Sequence, residues 1–239
     1  MNQGALFLPF RKPLLRANFL GRPQRFLAEM QFPDGTKTVA YCANPGSLNG
    51  CLQPGSAALL WDSKNPKRKR RFTWRAIKVE GVWVGTDTHL ANRLVEQALH
   101  HQLLPSLRDY ELLQSERRVE AGLRMDFVLT GARGSCFLEV KSATVVENGI
   151  ARFPDSITPR GLKHLRCLIQ KTREGHRAVM LFVVQRNDVK YFTVSKLRYP
   201  AYAGAFQDAL AAGVETLAFA VRVSPAGFGH PRLLPVLHV

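Results

Sequence analysis

Acidic residues are scarce in this chain of 239: 18 Asp and Glu stand against 34 Lys and Arg, a formal net charge of +16. Such a field disfavours cationic ligands and favours a polyanion, nucleic acid before an anionic membrane surface. Long apolar runs are missing as well. None approaches the ~20 residues a membrane-spanning helix needs, so no spanning segment is expected. The opening MNQGALFLPFRKPLL is broken by Pro9 and has no basic n-region, so a signal peptide is not expected either. Cysteine is sparse. Cys42, Cys51, Cys136 and Cys167 lie far apart without any C-x-x-C spacing, which argues against a zinc site and against a disulfide framework. Together with the missing leader, this places the expected compartment in the reducing cytoplasm. There is no internal repeat, P-loop or Rossmann fingerprint.

The positive charge is concentrated. Residues 1–84 hold 14 Lys and Arg against 4 Asp and Glu, while residues 85–239 hold 20 against 14. The first stretch is β-rich: a strand pair or one bent strand over LRANFLGRPQRFLAEMQF, a turn at Pro33-Asp34-Gly35, then TKTVAYCA, AALLWDS and FTWRAIKVEGVWVG. Short strands at this spacing fit a small Greek-key barrel such as an OB-fold, which commonly binds single-stranded nucleic acid. Residues 44–55, crowded with Asn, Gly and Pro, are expected to turn the chain rather than to cradle a phosphate. Between two strands lies KNPKRKRR, with Lys64, Lys67, Arg68, Lys69, Arg70 and Arg71. A charge run is usually a solvated loop. Beside Phe72 and Trp74 it also suits phosphate contacts with base stacking, so these residues are expected at a nucleic-acid interface.

A boundary near Gly85 opens a second domain, residues 85–239. Thr86, Asp87 or Thr88 caps a helix running to about Pro105, and Glu96 flanks its apolar stripe. Glu96 is read two ways: aimed at a metal, or balancing Arg93 and His100 on a wet face. A strand over 110–121 leads to a hairpin, residues 123–142, with its turn at Gly131-Ala132-Arg133-Gly134. Symmetry about that turn sets Asp126 opposite Glu139. It also makes Met125, Phe127 and Leu129 one apolar face with Val140, Leu138 and Cys136. Facing carboxylates repel. A hard divalent ion, Mg²⁺ or Mn²⁺, held by Asp126 and Glu139 relieves that repulsion, and Lys141 adds a fixed positive charge on the same face. Metal plus ammonium is what phosphodiester hydrolysis needs. Residues 145–161, VVENGIARFPDSITPRG, are read as a loop holding Phe153-Pro154-Asp155. Thr158 and Pro159 then start a helix that Gly175 ends, with Arg160, Lys163 and His164 on one face as a solvent stripe or a phosphate clamp. RAVMLFVVQ is a strand covered on both faces, VKYFTVS pairs back on it, and a helix and a final strand follow.

Helix, three strands, helix, strand, with Asp126 on the second strand and Glu139-Val140-Lys141 on the third, resembles the restriction-endonuclease-like PD-(D/E)-x-K superfamily. Met125 stands in place of the motif's proline, and Glu96 falls where that superfamily often adds a helical glutamate. A closer set is Asn44-Pro45-Gly46, Lys67-Arg68-Lys69, Trp74, Ala91-Asn92-Arg93-Leu94, Asp126-Phe127, Glu139-Val140-Lys141-Ser142, Phe153-Pro154-Asp155, Arg160-Gly161 and Lys163-His164-Leu165. In order, these blocks resemble the sugar fermentation stimulation protein A family; Pro159 departs from it where an acidic residue is expected. The resemblance implies an α/β (α+β) chain with an OB-like barrel over 1–84 and a nuclease-like domain over 85–239. It also implies sequence-nonspecific DNA binding and a regulatory role in sugar (maltose) metabolism. Three functions compete: a metal-dependent endonuclease using Asp126, Glu139, Lys141 and Glu96, a non-catalytic DNA-binding factor, and an RNA-processing nuclease. The sequence leaves the oligomeric state open.

Overall fold

A computed structural model describes residues 7–120 and 123–237. The first six residues, weighed above as part of a leader, lie outside them. A two-residue strand, β1 (Leu8–Pro9), pairs with Gly227–Phe228 near the far end of the chain. Phe7 and Leu8 are therefore buried in the core of the second domain rather than in the barrel that follows them.

The barrel consists of β2 (Leu15–Gln24), β3 (Leu27–Gln31), β4 (Lys37–Cys42), β5 (Ala57–Asp62) and β6 (Phe72–Val79). They bond in the order β4-β3-β2-β5-β6, and a parallel pairing of β4 with β6 closes the ring, so neither strand is left as a free edge. β7 (Val82–Gly85) is the hairpin partner of β6. The Pro33-Asp34-Gly35 turn forms as expected: Asp34 Oδ1 accepts the Thr36 N–H at 2.8 Å, and Gly35 adopts φ +86°.

Trp74 fills the barrel instead of facing a ligand. It is 0% exposed, stacks on Phe19 at 5.1 Å between ring centroids, and donates its Nε1–H to the Ala76 carbonyl at 3.0 Å. Trp74 and Ile77 share the barrel core while Ala76 packs on the second domain, a change of side across the irregularity opposite Leu59 and Leu60, so the expected base stacking on Trp74 is overturned.

The second domain opens with α1 (His89–His100). The helix stops short of Pro105 because Gln102 turns left-handed at φ +53° and the Leu103 N–H bonds back to the Ala98 carbonyl at 2.8 Å, a Schellman end. A 3₁₀ turn (Pro105–Leu107) leads into β8 (Leu112–Glu120), β9 (Leu123–Gly131) and β10 (Gly134–Ala143). Then come β11 (Val145–Glu147), β12 (Ile150–Phe153), α2 (Pro159–Arg173), β13 (Arg177–Val184), β14 (Tyr191–Val194), α3 (Pro200–Ala211) and β15 (Glu215–Ala220). The main sheet runs β15-β13-β10-β9-β8, with an antiparallel meander on one side and parallel β10, β13 and β15 on the other, where the two residues Arg232–Leu233 add an antiparallel edge to β15. α1 packs on one face over Phe127, Leu129, Leu138 and Val140, and α2 and α3 cover the other over Val128, Met180 and Phe182. β13 is buried from Ala178 to Val184, as a doubly covered strand should be.

Two expectations fail here. The stretch read as a loop contains the hairpin β11–β12, turned by Asn148 and Gly149, both at positive φ. And β14 pairs in parallel with β12 rather than back onto β13. The chain is turned away after β13 by Arg186, whose guanidinium pairs with Asp188 and donates to the Thr144 carbonyl at 3.1 Å.

Candidate active site

The β9–β10 ladder keeps the register that its turn dictates, from Gly134 opposite Gly131 to Leu138 opposite Phe127, and stops there. On the other side of β9, Ser115 pairs with Phe127 and Arg117 with Met125, skipping Glu116, which adopts φ +52°. Asp126 thus falls in a gap in both ladders. Its side chain fills the gap: Oδ2 accepts the Val140 N–H at 2.7 Å, and Oδ1 accepts from Asn92 Nδ2 of α1 at 2.8 Å. Side-chain direction changes across the same break. Phe127 and Leu129 pack under α1, but Met125 packs on the α2 side, so the expected continuous face of Met125 with Val140 does not form.

Glu139 points toward α2 and is 1% exposed. Its Oε1 accepts from Lys141 Nζ and from His164 Nδ1, while its Oε2 is buried with no partner among the described residues. His164 in turn takes the Arg160 Nε–H on Nε2 at 3.3 Å, so the tautomer with its proton on Nδ1 satisfies both contacts. Lys141 Nζ lies 3.3 Å from His164 Nδ1, inside the same knot.

The two carboxylates are tuned apart. Burial, then the nearby Glu139 charge, pushes Asp126 up to about 6 against opposition from Lys141. Burial also works to raise Glu139, but Lys141 and His164 outweigh it and hold that group below its ordinary value. Asp126 is therefore the electrostatically strained partner, and Glu139 is the charged one.

Both acids line a cavity of about 670 Å³ that draws its walls from the two domains. From the barrel come Arg25 and the loop Asn44–Pro45–Gly46; from the second domain come Asn92, Glu116, Lys141, Asp155, Arg160 and His164. The Asn44 loop, read from sequence as a plain turn, is gripped from both sides. Arg22 donates to the carbonyls of Asn44 at 2.7 Å and Gly46 at 2.8 Å, and also to that of Arg25. Across the cavity, Asp155 Oδ2 accepts the Leu48 N–H at 3.0 Å, and Ser47 Oγ donates to the Asp155 carbonyl at 2.9 Å. A Cβ at position 46 would come within 2.5 Å of the Asp155 carboxylate, so glycine is what permits this close approach.

Of the residues expected at the site, Asp126, Glu139, Lys141, Arg160 and His164 come together. Glu96 does not line the cavity: it is one turn, about 6 Å, further along α1, and Asn92 holds the place facing Asp126. Lys163 is exposed and outside the cavity, so the basic stripe on α2 divides between a site face and a solvent face. Lys64, Lys67, Arg68, Lys69, Arg70 and Arg71 lie on the β5–β6 loop of the barrel and do not reach the cavity. There Arg71 forms a two-pronged pair with Asp62, and Arg68 lies over the Trp61 ring at 5.4 Å. Arg22 and Asp155 were not expected as site residues. Only the Phe153-Pro154-Asp155 and Asn44-Pro45-Gly46 blocks hinted at them, without showing that they meet.

Residues 20–86 match the family model described as the SfsA N-terminal OB domain, and residues 89–227 match that of the Sugar fermentation stimulation protein RE domain. A Sugar fermentation stimulation protein homolog of Geobacter sulfurreducens is 42% identical over 226 residues, covering 95% of this chain and 97% of its own. One from Ruegeria pomeroyi is 42% identical over 221 residues, covering 91% and 96%. The solved structure of Pyrococcus furiosus SfsA in complex with Ca²⁺ superposes with a TM-score of 0.90 at 28% identity, covering 98% of this chain and all of that one.

Proposed function

Because the chain belongs to the sugar fermentation stimulation protein family, we propose that it binds DNA without regard to sequence and hydrolyses phosphodiester bonds in the Asp126–Glu139–Lys141 cavity with the aid of Mg²⁺ or Mn²⁺. One observation carries this reading. Two carboxylates share a cavity, one held up near a pKa of 6 and the other with a buried oxygen that no group among the described residues satisfies, and an ammonium stands beside them. A buried orphan acceptor is costly, and a cation is its natural partner. Among the described residues no three His, Cys, Asp or Glu side chains converge on one point. Two carboxylates are nonetheless enough for a small hard ion that takes its other oxygens from water and phosphate. The Ca²⁺ in the Pyrococcus furiosus relative supports a divalent site in this fold.

Asp126 and Glu139 would hold the ion, which when bound would stabilise charge developing on phosphorus. The rest falls to the chain itself. Val140 N–H and Asn92 fix the Asp126 carboxylate, so it meets the ion without reorganising. Lys141 Nζ, held by Glu139, presents a donor to a non-bridging phosphate oxygen or to the attacking water. His164 orients Glu139 through Nδ1, and Arg160, exposed at the rim, offers charge to the incoming backbone.

Supercoiled plasmid with Mg²⁺ or Mn²⁺ is expected to be nicked, and EDTA is expected to stop it; cleavage that persists in EDTA would rule the site out. Replacing exposed Lys64, Lys67 and Lys69 by alanine should weaken DNA binding equally across sequences. It should also lower the slope of log K against log salt by up to about 3. An unchanged slope excludes that loop from the interface.

A second reading, a DNA-binding factor that does not cut, draws support from the double engagement of Glu139 Oε1 by Lys141 and His164, which resembles a neutralised structural acid. Plasmid that stays intact in both metals, with salt-sensitive binding retained, would favour it.

A further inference from the structure

The barrel carries a second concavity, a groove of about 580 Å³ away from the carboxylates. Phe26, at the turn between β2 and β3, leaves 45% of its surface in solvent, an expensive place for a large apolar ring. Tyr41 lies beside it, the ring centroids 6.5 Å apart and the planes within 24°, so the pair offers a broad flat apolar surface. Arg68, Lys69 and Arg70 complete the wall, and no carboxylate lines it. Arg70 Nε is buried there without a hydrogen-bond partner among the described residues, a donor left for something the groove takes in.

Flat rings facing solvent beside cations that face no acid match one kind of ligand: a polyanion with exposed aromatic faces. A duplex hides its base faces in the stack, whereas an unpaired strand presents them. The groove and the cavity described above take their linings from neighbouring residues of one turn. Arg25 lines the catalytic cavity and Phe26, the next residue, lines the groove, about 3.8 Å away between Cα atoms. Arg22 braces this turn by donating to the Arg25 carbonyl at 3.0 Å, while gripping the Asn44 loop on the cavity side.

Resting on the reading that this chain acts on DNA, we propose that Phe26 and Tyr41 form a stacking platform for unpaired bases, with Arg68, Lys69 and Arg70 on their phosphates, and that a strand held there passes over Arg25 to reach Asp126 and Glu139. The substrate class of the site is then single-stranded or frayed DNA rather than intact duplex.

The test is fluorescence anisotropy in EDTA with the full-length protein, on a labelled oligo-dT strand and on a blunt duplex hairpin. Phe26→Ala is expected to bind the strand about tenfold more weakly and the duplex within about twofold of the parent, and Phe26→Trp is expected to restore strand binding. Tyr41→Leu should repeat the selective loss. Phe26 is a solvent-facing turn residue, so its alanine variant keeps the barrel core intact. Equal strand binding by parent and Phe26→Ala overturns the platform, as does an equal loss on strand and duplex. The catalytic reading fails separately: a parent protein that binds oligo-dT through Phe26 but never cuts with Mg²⁺ or Mn²⁺ keeps the platform and loses the hydrolase.

Discussion

Lys141→Ala is expected to lower divalent-dependent nicking of plasmid by about 10²–10³-fold while leaving DNA affinity within about threefold. The asymmetry follows from placement. Lys141 is one mostly buried cation among those lining the cavity, whereas the proposed binding would draw on charge spread over the whole barrel. Its Nζ contacts Glu139 Oε1 and stands 3.3 Å from His164, so it is the donor best placed to meet a phosphate that enters the cavity. Removing it also takes away the largest influence holding Glu139 ionised against burial, so the variant's residual activity should shift its pH dependence toward higher pH. Plasmid nicking and anisotropy on one preparation measure both quantities. Undiminished nicking by Lys141→Ala would remove this residue from the chemistry.

Asp126→Asn is expected to make the metal-free protein more stable. Asp126 titrates near 6 in the folded chain, against 3.8 for an ordinary aspartate, mainly because it is buried and then because Glu139 is close. The folded state therefore keeps a proton that the unfolded state has already released. Stability falls as pH rises from about 4 to about 6 and stays lower above that. Two pH units correspond to about 3 kcal/mol, an upper figure for a group that retains two hydrogen bonds. In EDTA at about pH 8, urea unfolding should find Asp126→Asn more stable by about 1–3 kcal/mol, with a flatter pH dependence below pH 6. Adding Mn²⁺ should invert the ranking. A parent saturated a hundredfold above its dissociation constant gains about 2.7 kcal/mol, and the variant gains little. A variant no more stable than its parent in EDTA would mean that the carboxylate is not strained.

What could be read from sequence tracks how local its cause is. The Asp126–Glu139–Lys141 set was legible because a short turn fixes a register, and a register fixes which side chains share a face. That logic holds up to Leu138 opposite Phe127 and fails one step later, where the ladder opens and Met125 crosses to the other core. The opening coincides with Glu116 at φ +52° in a neighbouring strand, which nothing in the hairpin announces. Helical partners were harder. Periodicity gives the apolar stripe of α1 but not which flanking residue meets the sheet, and it is Asn92 rather than Glu96 that makes the contact. Trp74 departs from its expected place because a tryptophan beside a basic run invites a functional reading, and the irregularity that sends Trp74 into the barrel and Ala76 to the other core has no mark in the sequence. The Asn148-Gly149 hairpin departs from the expected loop: a standard two-residue turn signal joins strands of three and four residues, too short to show alternation.

The grip of Asp155 on Ser47 and Leu48, and the pairing of Leu8–Pro9 with Gly227–Phe228, make this a chain that cannot be cleanly halved. Expressing only the part from α1 onward would strip Phe7 and Leu8 from its core and take away one wall of its own cavity, so an inert fragment would say nothing about the intact protein. The same tie binds the two halves in inheritance. A recombination event that swapped the barrel for a foreign one would have to import Gly46 and Arg22 with it, or leave Asp155 facing solvent across an open seam.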